Sequence, residues 1–114
     1  MLKEKNRLQK QKDFEKVFKC GRSFKKSFLY LKANKNGLES TRFGFVVSLK
    51  VSKKAVDRNR IKRLLREIVA TNLQEIAGGY DIVIVVNPGV EVDGVKLQES
   101  LNILLHEAGI FKTN

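Results

Sequence analysis

The segment KVSKKAVDRNRIKRLLRE, residues 50–67, begins the longest helical pattern in the chain. From this segment onward, apolar residues recur at steps of three and four, which predicts a helix from about Lys53 to Ile76. The apolar stripe consists of Ile61, Leu64, Leu65, Ile68, Val69, Leu73 and Ile76. Gly78 and Gly79 then end the helix. Because one side of this helix is apolar along its whole length, we expect that side to pack on a sheet.

The other side of this helix carries a dense set of basic residues. Arg58, Lys62 and Arg66 are four residues apart and line up along one side. Asn59 and Arg63 form the adjacent row. Cationic groups that repeat once per turn, about 5.4 Å apart, can meet successive phosphates, and arginine adds bidentate hydrogen bonds. The uncharged Asn59 is expected to make directed hydrogen bonds instead.

A solvated face that only keeps the helix soluble is the alternative interpretation. Faces of that kind usually mix Lys with Glu, whereas seven basic residues here are opposed only by Asp57 and Glu67. The seven are Lys53, Lys54, Arg58, Arg60, Lys62, Arg63 and Arg66. Ser52 and the free backbone N–H groups at the start of the helix add a preference for anions. We therefore expect this face to bind nucleic acid.

The overall charge also predicts an anionic partner. The 114 residues include 23 Lys and Arg against 12 Asp and Glu, for a formal net charge of +11. Residues 1–66 hold 21 of the basic residues and five of the acidic ones, so we expect the binding surface in this part of the chain. With 42% hydrophobic residues the chain can bury one core, and we predict a single domain over residues 1–114. Residues 1–9, MLKEKNRLQ, are predicted to form a flexible basic arm.

A first helix is predicted over residues 10–20. Phe14, Val17 and Phe18 recur there at helical spacing, and Gly21 is a suitable stop. The spacing of Phe14 and Phe18 fits both core packing alone and the wall of a partly open cleft. Aromatic faces in an open cleft could stack on unpaired bases without demanding a particular sequence.

Two strands are predicted after this helix. Aromatic and branched residues favour extended structure over residues 24–33, and NKNGLES at residues 34–40 supplies a turn, so we expect a hairpin with a second strand at residues 41–48. A short extra strand at residues 22–25 is an option. Period-two alternation places Phe43, Phe45 and Val47 on one face of the second strand, and Arg42, Gly44, Val46 and Ser48 on the other.

The C-terminal part predicts one more strand and one more helix. DIVIVV at residues 81–86 is apolar from its second residue onward, which indicates a central strand covered on both faces. Asn87, Pro88 and Gly89 end it. The last helix is traced by Val95, Leu97, Leu101, Leu104, Leu105 and Ala108, with Asp93 as its cap and Gly109 as its end. The order helix, strand, strand, helix, strand, helix predicts an α/β two-layer sandwich.

No group in the sequence suggests catalysis by the protein itself. The lone His106 is expected to be a surface or structural residue, and the lone Cys20 a small buried thiol. No Cys or His cluster has metal-ligand spacing, and no glycine-rich phosphate loop is present. No stretch approaches the roughly 20 apolar residues of a membrane span. Residues 1–12 lack the apolar run of a secretory signal, so we expect a cytoplasmic protein.

Three segments, in the same order, resemble one known family. KKAVDRNRIKRLLRE at residues 53–67 is similar to the Arg-Asn-Arg signature of the bacterial ribonuclease P protein. NRLQKQKDFEKVFKCG at residues 6–21 resembles the opening helix of that family, and FGFVVSLKV at residues 43–51 resembles the strand that leads into the signature. The C-terminal part matches in pattern and length only.

This resemblance implies both a fold and a function. The fold would be an α/β sandwich like domain 2 of ribosomal protein S5, with the signature helix in a β–α–β connection of left-handed sense, opposite to the general rule. The protein would assist a catalytic RNA, the ribonuclease P RNA, in removing the 5′ leader from precursor tRNA. Hydrolysis and Mg²⁺ would belong to the RNA, so the resemblance implies no catalytic residue, metal site or cofactor in this chain, which would be monomeric alone.

The resemblance also assigns residues to two RNA-binding surfaces. Those facing the RNA subunit would be Lys53, Lys54, Arg58, Asn59, Arg60, Lys62, Arg63 and Arg66. A cleft between the first helix and the sheet would receive the single-stranded leader, with Phe14, Phe18 and Tyr30 along it.

Three other functions are compatible with a basic α/β chain. A general structured-RNA-binding or ribosome-associated protein would show similar charge without a leader cleft. A DNA-binding regulator would use residues 53–66 as a recognition helix, but no preceding helix stands at helix-turn-helix spacing. A protein-only nuclease would cleave precursor tRNA without RNA.

Overall fold

Seven helices and strands make up the described part of the chain in the computed structural model, which covers residues 2–88 and 94–111. They are α1 (Gln11–Cys20), β1 (Arg22–Lys26), β2 (Leu29–Lys35), β3 (Arg42–Val47), α2 (Ala55–Asn72), β4 (Tyr80–Val86) and α3 (Gly94–Glu107). Short 3₁₀ turns lie at Glu4–Asn6 and Leu73–Glu75. The second of these turns takes up the end of the predicted long helix, so α2 is shorter than the apolar pattern indicates.

The four strands form one mixed sheet in the order β1-β2-β4-β3. β2 runs antiparallel to both β1 and β4, whereas β3 runs parallel to β4. The predicted hairpin between residues 24–33 and 41–48 is therefore wrong, because β4 lies between β2 and β3. The hairpin forms instead within residues 22–35, where Ser27 adopts a positive φ of 54° in the turn. The optional short strand is confirmed as β1.

β4 is the central strand that its sequence predicts. Ile82, Ile84 and Val86 are fully buried in the main core, together with residues of α2 and α3. Val83 and Val85 point to the opposite face, where they pack with residues of α1 and the N-terminal segment. A strand that is apolar on both faces can bury its side chains only when a layer covers each face of the sheet.

The helices lie on both sides of the sheet. α2 and α3 cover one face, and together with the sheet they form the predicted sandwich. α1 adds a partial cover to the other face. The buried positions of the two larger helices are Ile61, Leu65, Ile68, Val69, Leu97, Leu101, Leu104 and Leu105. Leu64 and Leu73 are partly buried and pack against the same core, as the predicted stripe requires, whereas Val95 is exposed, contrary to its predicted place in the last helix.

The parallel strands β3 and β4 are joined through α2, as a β–α–β connection requires. The hand of that connection remains a prediction. Gly109 adopts a positive φ of 70° just after α3, which confirms it as the end of that helix. Asp93, predicted as the cap of α3, and Gly89 lie outside the described residues.

The N-terminal segment, residues 2–9, is not the free arm that the sequence predicts. Leu2 and Leu8 are buried, and the Leu8 N–H donates to the Phe43 carbonyl at 2.8 Å. The buried Asn6 side chain donates to the Thr41 carbonyl, also at 2.8 Å. The segment thus covers part of the outer edge of β3, whose unpaired backbone groups it satisfies.

Cys20 is exposed, which corrects the prediction of a buried thiol. It is the last residue of α1, and the side of α1 that packs on the sheet is taken by Phe14 and Val17. Helical spacing therefore leaves Cys20 outside this contact.

Candidate nucleic-acid interface

The predicted cationic face of α2 points away from the core. Lys53, Lys54, Asn59, Arg60, Arg63 and Arg66 are exposed, and Arg58 and Lys62 are half-buried. On the opposite side, Ile61 and Leu65 are buried against the sheet and α3. The apolar and basic residues of the helix thus lie on opposite sides, as its sequence predicts. The eight polar residues lie on the outward side.

The start of α2 is organised by Ser52. The Lys54 N–H donates to the Ser52 hydroxyl oxygen at 3.2 Å, and that hydroxyl donates to the Asp57 carboxylate at 3.0 Å. The Arg58 guanidinium donates to the Ser52 carbonyl at 2.8 Å. Arg58 is therefore held toward the start of the helix, while Asp57 is engaged by a hydroxyl and not by an arginine.

The basic residues of α2 form no ion pair with a carboxylate of the described residues. Over residues 2–88 and 94–111, the two ion pairs both belong to Arg42 on β3. With no such ion pair, solvent ions can condense on the α2 face of the free protein. Such condensed ions can be exchanged for the phosphates of a nucleic acid.

A second surface lies between α1 and the face of the sheet that α1 partly covers. Phe14 is half-buried, and its ring lies directly over Gly44 on β3. A Cβ atom at Gly44 would come within 2.4 Å of that ring, so glycine is required for this approach. Phe14 therefore serves mainly to pack α1 on the sheet, together with Leu8 and Val17.

Phe18, one turn further along α1, stands in different surroundings. It is 39% exposed. The Lys32 ammonium lies 6.0 Å from the centre of the Phe18 ring and donates to the Phe18 carbonyl at the end of α1. Tyr30, on the same face of β2 as Lys32, is half-buried and its hydroxyl lies 2.8 Å from the Ser23 hydroxyl. Phe18 and Lys32 are thus in contact beside α1, and Tyr30 alternates with apolar residues on the same face of β2 as Lys32.

Arg42 connects the strands beneath this surface to α1. Its guanidinium makes two hydrogen bonds to the Asp81 carboxylate, at 2.8 and 2.7 Å, and lies 3.5 Å from the Asp13 carboxylate on α1. The hydrogen bond to Asp81 is the main cause that raises the pKa of Arg42 above its ordinary value. Asn36 donates to the same carboxylate at 2.9 Å. The loop before β3, the sheet and α1 are therefore held in one arrangement.

Sequence reasoning assigned no role to Lys32 or Arg42. Period-two alternation places Arg42 on the less apolar face of its strand, and the same pattern could have placed Lys32 on that face of β2. Which helix covers that face is a long-range property that the pattern does not contain.

The lone histidine lies in the last turn of α3. His106 is exposed and its ring lies 4.3 Å from the Phe111 ring. No group of three or more His, Cys, Asp or Glu side chains that could hold a metal ion is present within residues 2–88 and 94–111. In the same ranges, no helix has the length and apolar character needed to cross a membrane.

A four-stranded mixed sheet with an outward cationic helix on one face defines a basic α+β protein whose exposed charge suits a polyanion. The family model described as ribonuclease P matches residues 2–109. The chain therefore belongs to the bacterial ribonuclease P protein family.

Relatives and solved structures agree with this assignment. The ribonuclease P protein component of Fusobacterium nucleatum is 38% identical over 96 residues, which cover 82% of this chain and 86% of the relative. That of Alkaliphilus oremlandii is 34% identical over 113 residues and 98% of both chains. The RNase P protein of Staphylococcus aureus superposes with a TM-score of 0.86 at 28% identity, covering 94% of this chain and 98% of the other. The RNase P protein of Thermotoga maritima superposes with a TM-score of 0.79 at 35% identity, covering 88% of this chain and 96% of the other.

Membership in this family confirms the predicted fold class and function. The fold is the α+β arrangement of three helices and a four-stranded mixed sheet seen in ribonuclease P proteins, like domain 2 of ribosomal protein S5. The chain is the RNA-binding protein subunit of ribonuclease P, an endoribonuclease holoenzyme that takes part in the 5′ maturation of tRNA. Its partner is accordingly the ribonuclease P RNA.

Proposed function

We propose that the outward face of α2 is the surface that binds the ribonuclease P RNA. One observation carries this proposal: α2 buries its apolar side and exposes arginines, none of which pairs with a described carboxylate. The residues are Lys53, Lys54, Arg58, Asn59, Arg60, Lys62, Arg63 and Arg66. Folded RNA brings phosphates close together, and a rigid helix with a cation on each turn lowers their repulsion.

The cleft beside α1 is proposed to receive the single-stranded leader of precursor tRNA. Phe18 and Tyr30 offer aromatic faces on which unpaired bases can stack, and Phe14 supports the wall. The Lys32 ammonium beside Phe18 is placed to meet a leader phosphate. Since mature tRNA lacks the leader, this cleft would favour substrate over product.

Mg²⁺ is proposed to be bound by the RNA of the holoenzyme. The described residues of this chain hold no cluster suited to the ion, so the chain contributes RNA binding and orientation. The protein alone is proposed to be monomeric, because a net charge of +11 opposes self-association. A cytoplasmic location is part of the same proposal, since precursor tRNA is processed where it is transcribed in bacteria.

Reconstitution tests the division of labour between protein and RNA. The protein is added to a bacterial ribonuclease P RNA at low Mg²⁺, and cleavage of precursor tRNA is measured. We expect cleavage to need both components, with the Arg58→Ala/Arg63→Ala variant giving less product at the same protein concentration. Cleavage by the protein alone, or an RNA whose activity does not respond to the protein, would contradict the proposal.

A further inference from the structure

An open groove runs along the outer edge of β3, between the N-terminal segment and α2. Its volume of about 820 Å³ lies within the roughly 300–1,000 Å³ typical of sites for small ligands. Phe45 and Gly44 on β3 line it, together with Phe14 of α1. Polar side chains also line it, namely Arg7, Gln9, Arg63, Arg66 and Glu67. We call it the edge groove.

The backbone of Phe45 offers one donor and one acceptor to this groove. The Phe43 carbonyl accepts from the Leu8 N–H and therefore points away from β4. Backbone groups in a parallel strand alternate sides from residue to residue, so the N–H and carbonyl of Phe45 point the same way. Beyond Leu8 the N-terminal segment turns into α1, and no backbone of the described residues pairs with Phe45 on this side.

Guanidinium groups stand around these backbone groups. The Arg66 guanidinium lies 5.9 Å from the centre of the Phe45 ring, which holds it over the groove. Arg7 donates to the Leu2 carbonyl at 2.9 Å, so its side chain is also fixed. Arg63 precedes Arg66 by about one turn of α2, and Glu67 is the carboxylate among the lining residues. The groove is therefore strongly cationic around a short polar edge.

We infer that the edge groove holds an unpaired nucleobase of the RNA that α2 binds. A base edge with a donor beside an acceptor can bond to the N–H and carbonyl of Phe45. The phosphates on either side of that base then meet Arg63 and Arg66. A peptide strand could also pair with a free sheet edge, but the excess of arginine favours an anionic chain. The inference rests on the proposed function, because it takes α2 as the RNA-binding helix.

Hydrogen exchange at the Phe45 amide tests this site. Exchange is measured on the full-length protein alone, with a bacterial ribonuclease P RNA, and with heparin, a polyanion without bases. We expect the RNA to slow exchange by at least about tenfold, while heparin leaves it nearly unchanged. Equal protection by heparin would overturn the inference. Protection that rises with protein concentration without RNA would show strand pairing between two chains and would equally overturn it.

A groove-filling variant provides an independent test. Gln9→Trp places an indole at the groove wall without removing a charge, and Gln11→Trp on the exposed surface of α1 is the matched control. We expect Gln9→Trp to weaken RNA binding by about 5- to 50-fold with an unchanged salt dependence, and Gln11→Trp to have no effect. Full RNA affinity in Gln9→Trp, or tight RNA binding that leaves the Phe45 amide unprotected, would refute the nucleobase site but not RNA binding by α2. Failure of the wild-type protein to bind the RNA would refute both proposals.

Discussion

Phe14 and Phe18 show how two identical residues one turn apart take different roles. The ring of Phe14 fills the space over Gly44, whereas Phe18 is more than one-third exposed beside Lys32. Helical spacing alone is compatible with core packing or a cleft wall for both residues. The structure separates them because the sheet beneath Phe14 lacks a side chain at residue 44.

Replacing Phe18 by Ala should weaken binding of precursor tRNA to the holoenzyme and leave binding of mature tRNA unchanged. Loss of a stacked base costs about 1–3 kcal/mol, or roughly 5- to 150-fold in affinity. Equilibrium binding of both RNAs is the measurement, with thermal unfolding as a check that the variant folds. The buried Val17→Ala is the control, which should lower stability instead. Equal losses of affinity for the two RNAs would show that Phe18 serves in packing and not in leader binding.

Gly44→Ala should destabilise the protein by displacing the Phe14 ring. The new Cβ would lie 2.4 Å from two ring carbons, and overpacking of this kind costs about 1–3 kcal/mol. Denaturant unfolding measures the loss. Gly94→Ala is the control, since its Cβ would meet Leu64 at an ordinary 3.7 Å. Adding Phe14→Leu to Gly44→Ala should recover part of the stability, and no recovery would argue against this contact.

At the scale of elements, α2 combines a core role with a binding role in one helix. Its apolar side joins the sheet to α3, and its outward side carries the residues proposed to meet the RNA. Because the two sides are separated, substitutions on the outward side can test binding without removing core contacts. α1 is attached differently, through Phe14 and through Asp13, which faces Arg42.

The Arg58→Ala/Arg63→Ala variant should weaken binding to the RNA subunit and flatten its salt dependence. Each phosphate that the protein no longer neutralises reduces the slope of log K against log salt by about one, so a reduction near two is expected. Binding is measured over a series of salt concentrations. The matched control is Lys26→Ala/Lys35→Ala, exposed residues of β1 and β2 on the far side of the sheet from β3. A slope equal to that of the wild type would place the interface elsewhere.

At the scale of the whole molecule, charge is distributed unevenly along the chain and in space. Residues 1–66 carry 21 basic and five acidic residues, whereas residues 67–114 carry two basic and seven acidic ones, and α2 exposes several of the basic residues on one helix. A single-sign field of this size destabilises the compact state through self-repulsion. The free protein therefore gains stability from any anion that binds its cationic surface.

Pyrophosphate should raise the thermal unfolding midpoint more than chloride at the same ionic strength. Binding to the folded state alone stabilises by mass action, and each kcal/mol raises the midpoint by about 4–8 °C in a domain of this size. Thermal melts in the two salts are the measurement. Arg58→Ala/Arg63→Ala should show a smaller gain, and equal midpoints in the two salts would contradict a specific anion-binding surface.

The sequence by itself determined the properties that depend on local spacing. The stripe of α2, its opposite cationic face and the two apolar faces of β4 follow from periods of 3.6 and 2, and the structure confirms them. The Arg-Asn-Arg segment and its flanking motifs also sufficed to indicate the family, which the family model confirms.

Only the tertiary structure decided which elements are neighbours. β4 inserts between β2 and β3, and residues 2–9 lie on the edge of β3, because strand pairing joins residues far apart in sequence. The same long-range packing exposes Cys20, places Lys32 beside Phe18, and leaves the backbone of Phe45 at an open edge. Local periodicity says which way a side chain points from its own element, whereas hydrogen bonding and burial across the whole chain decide what it meets there.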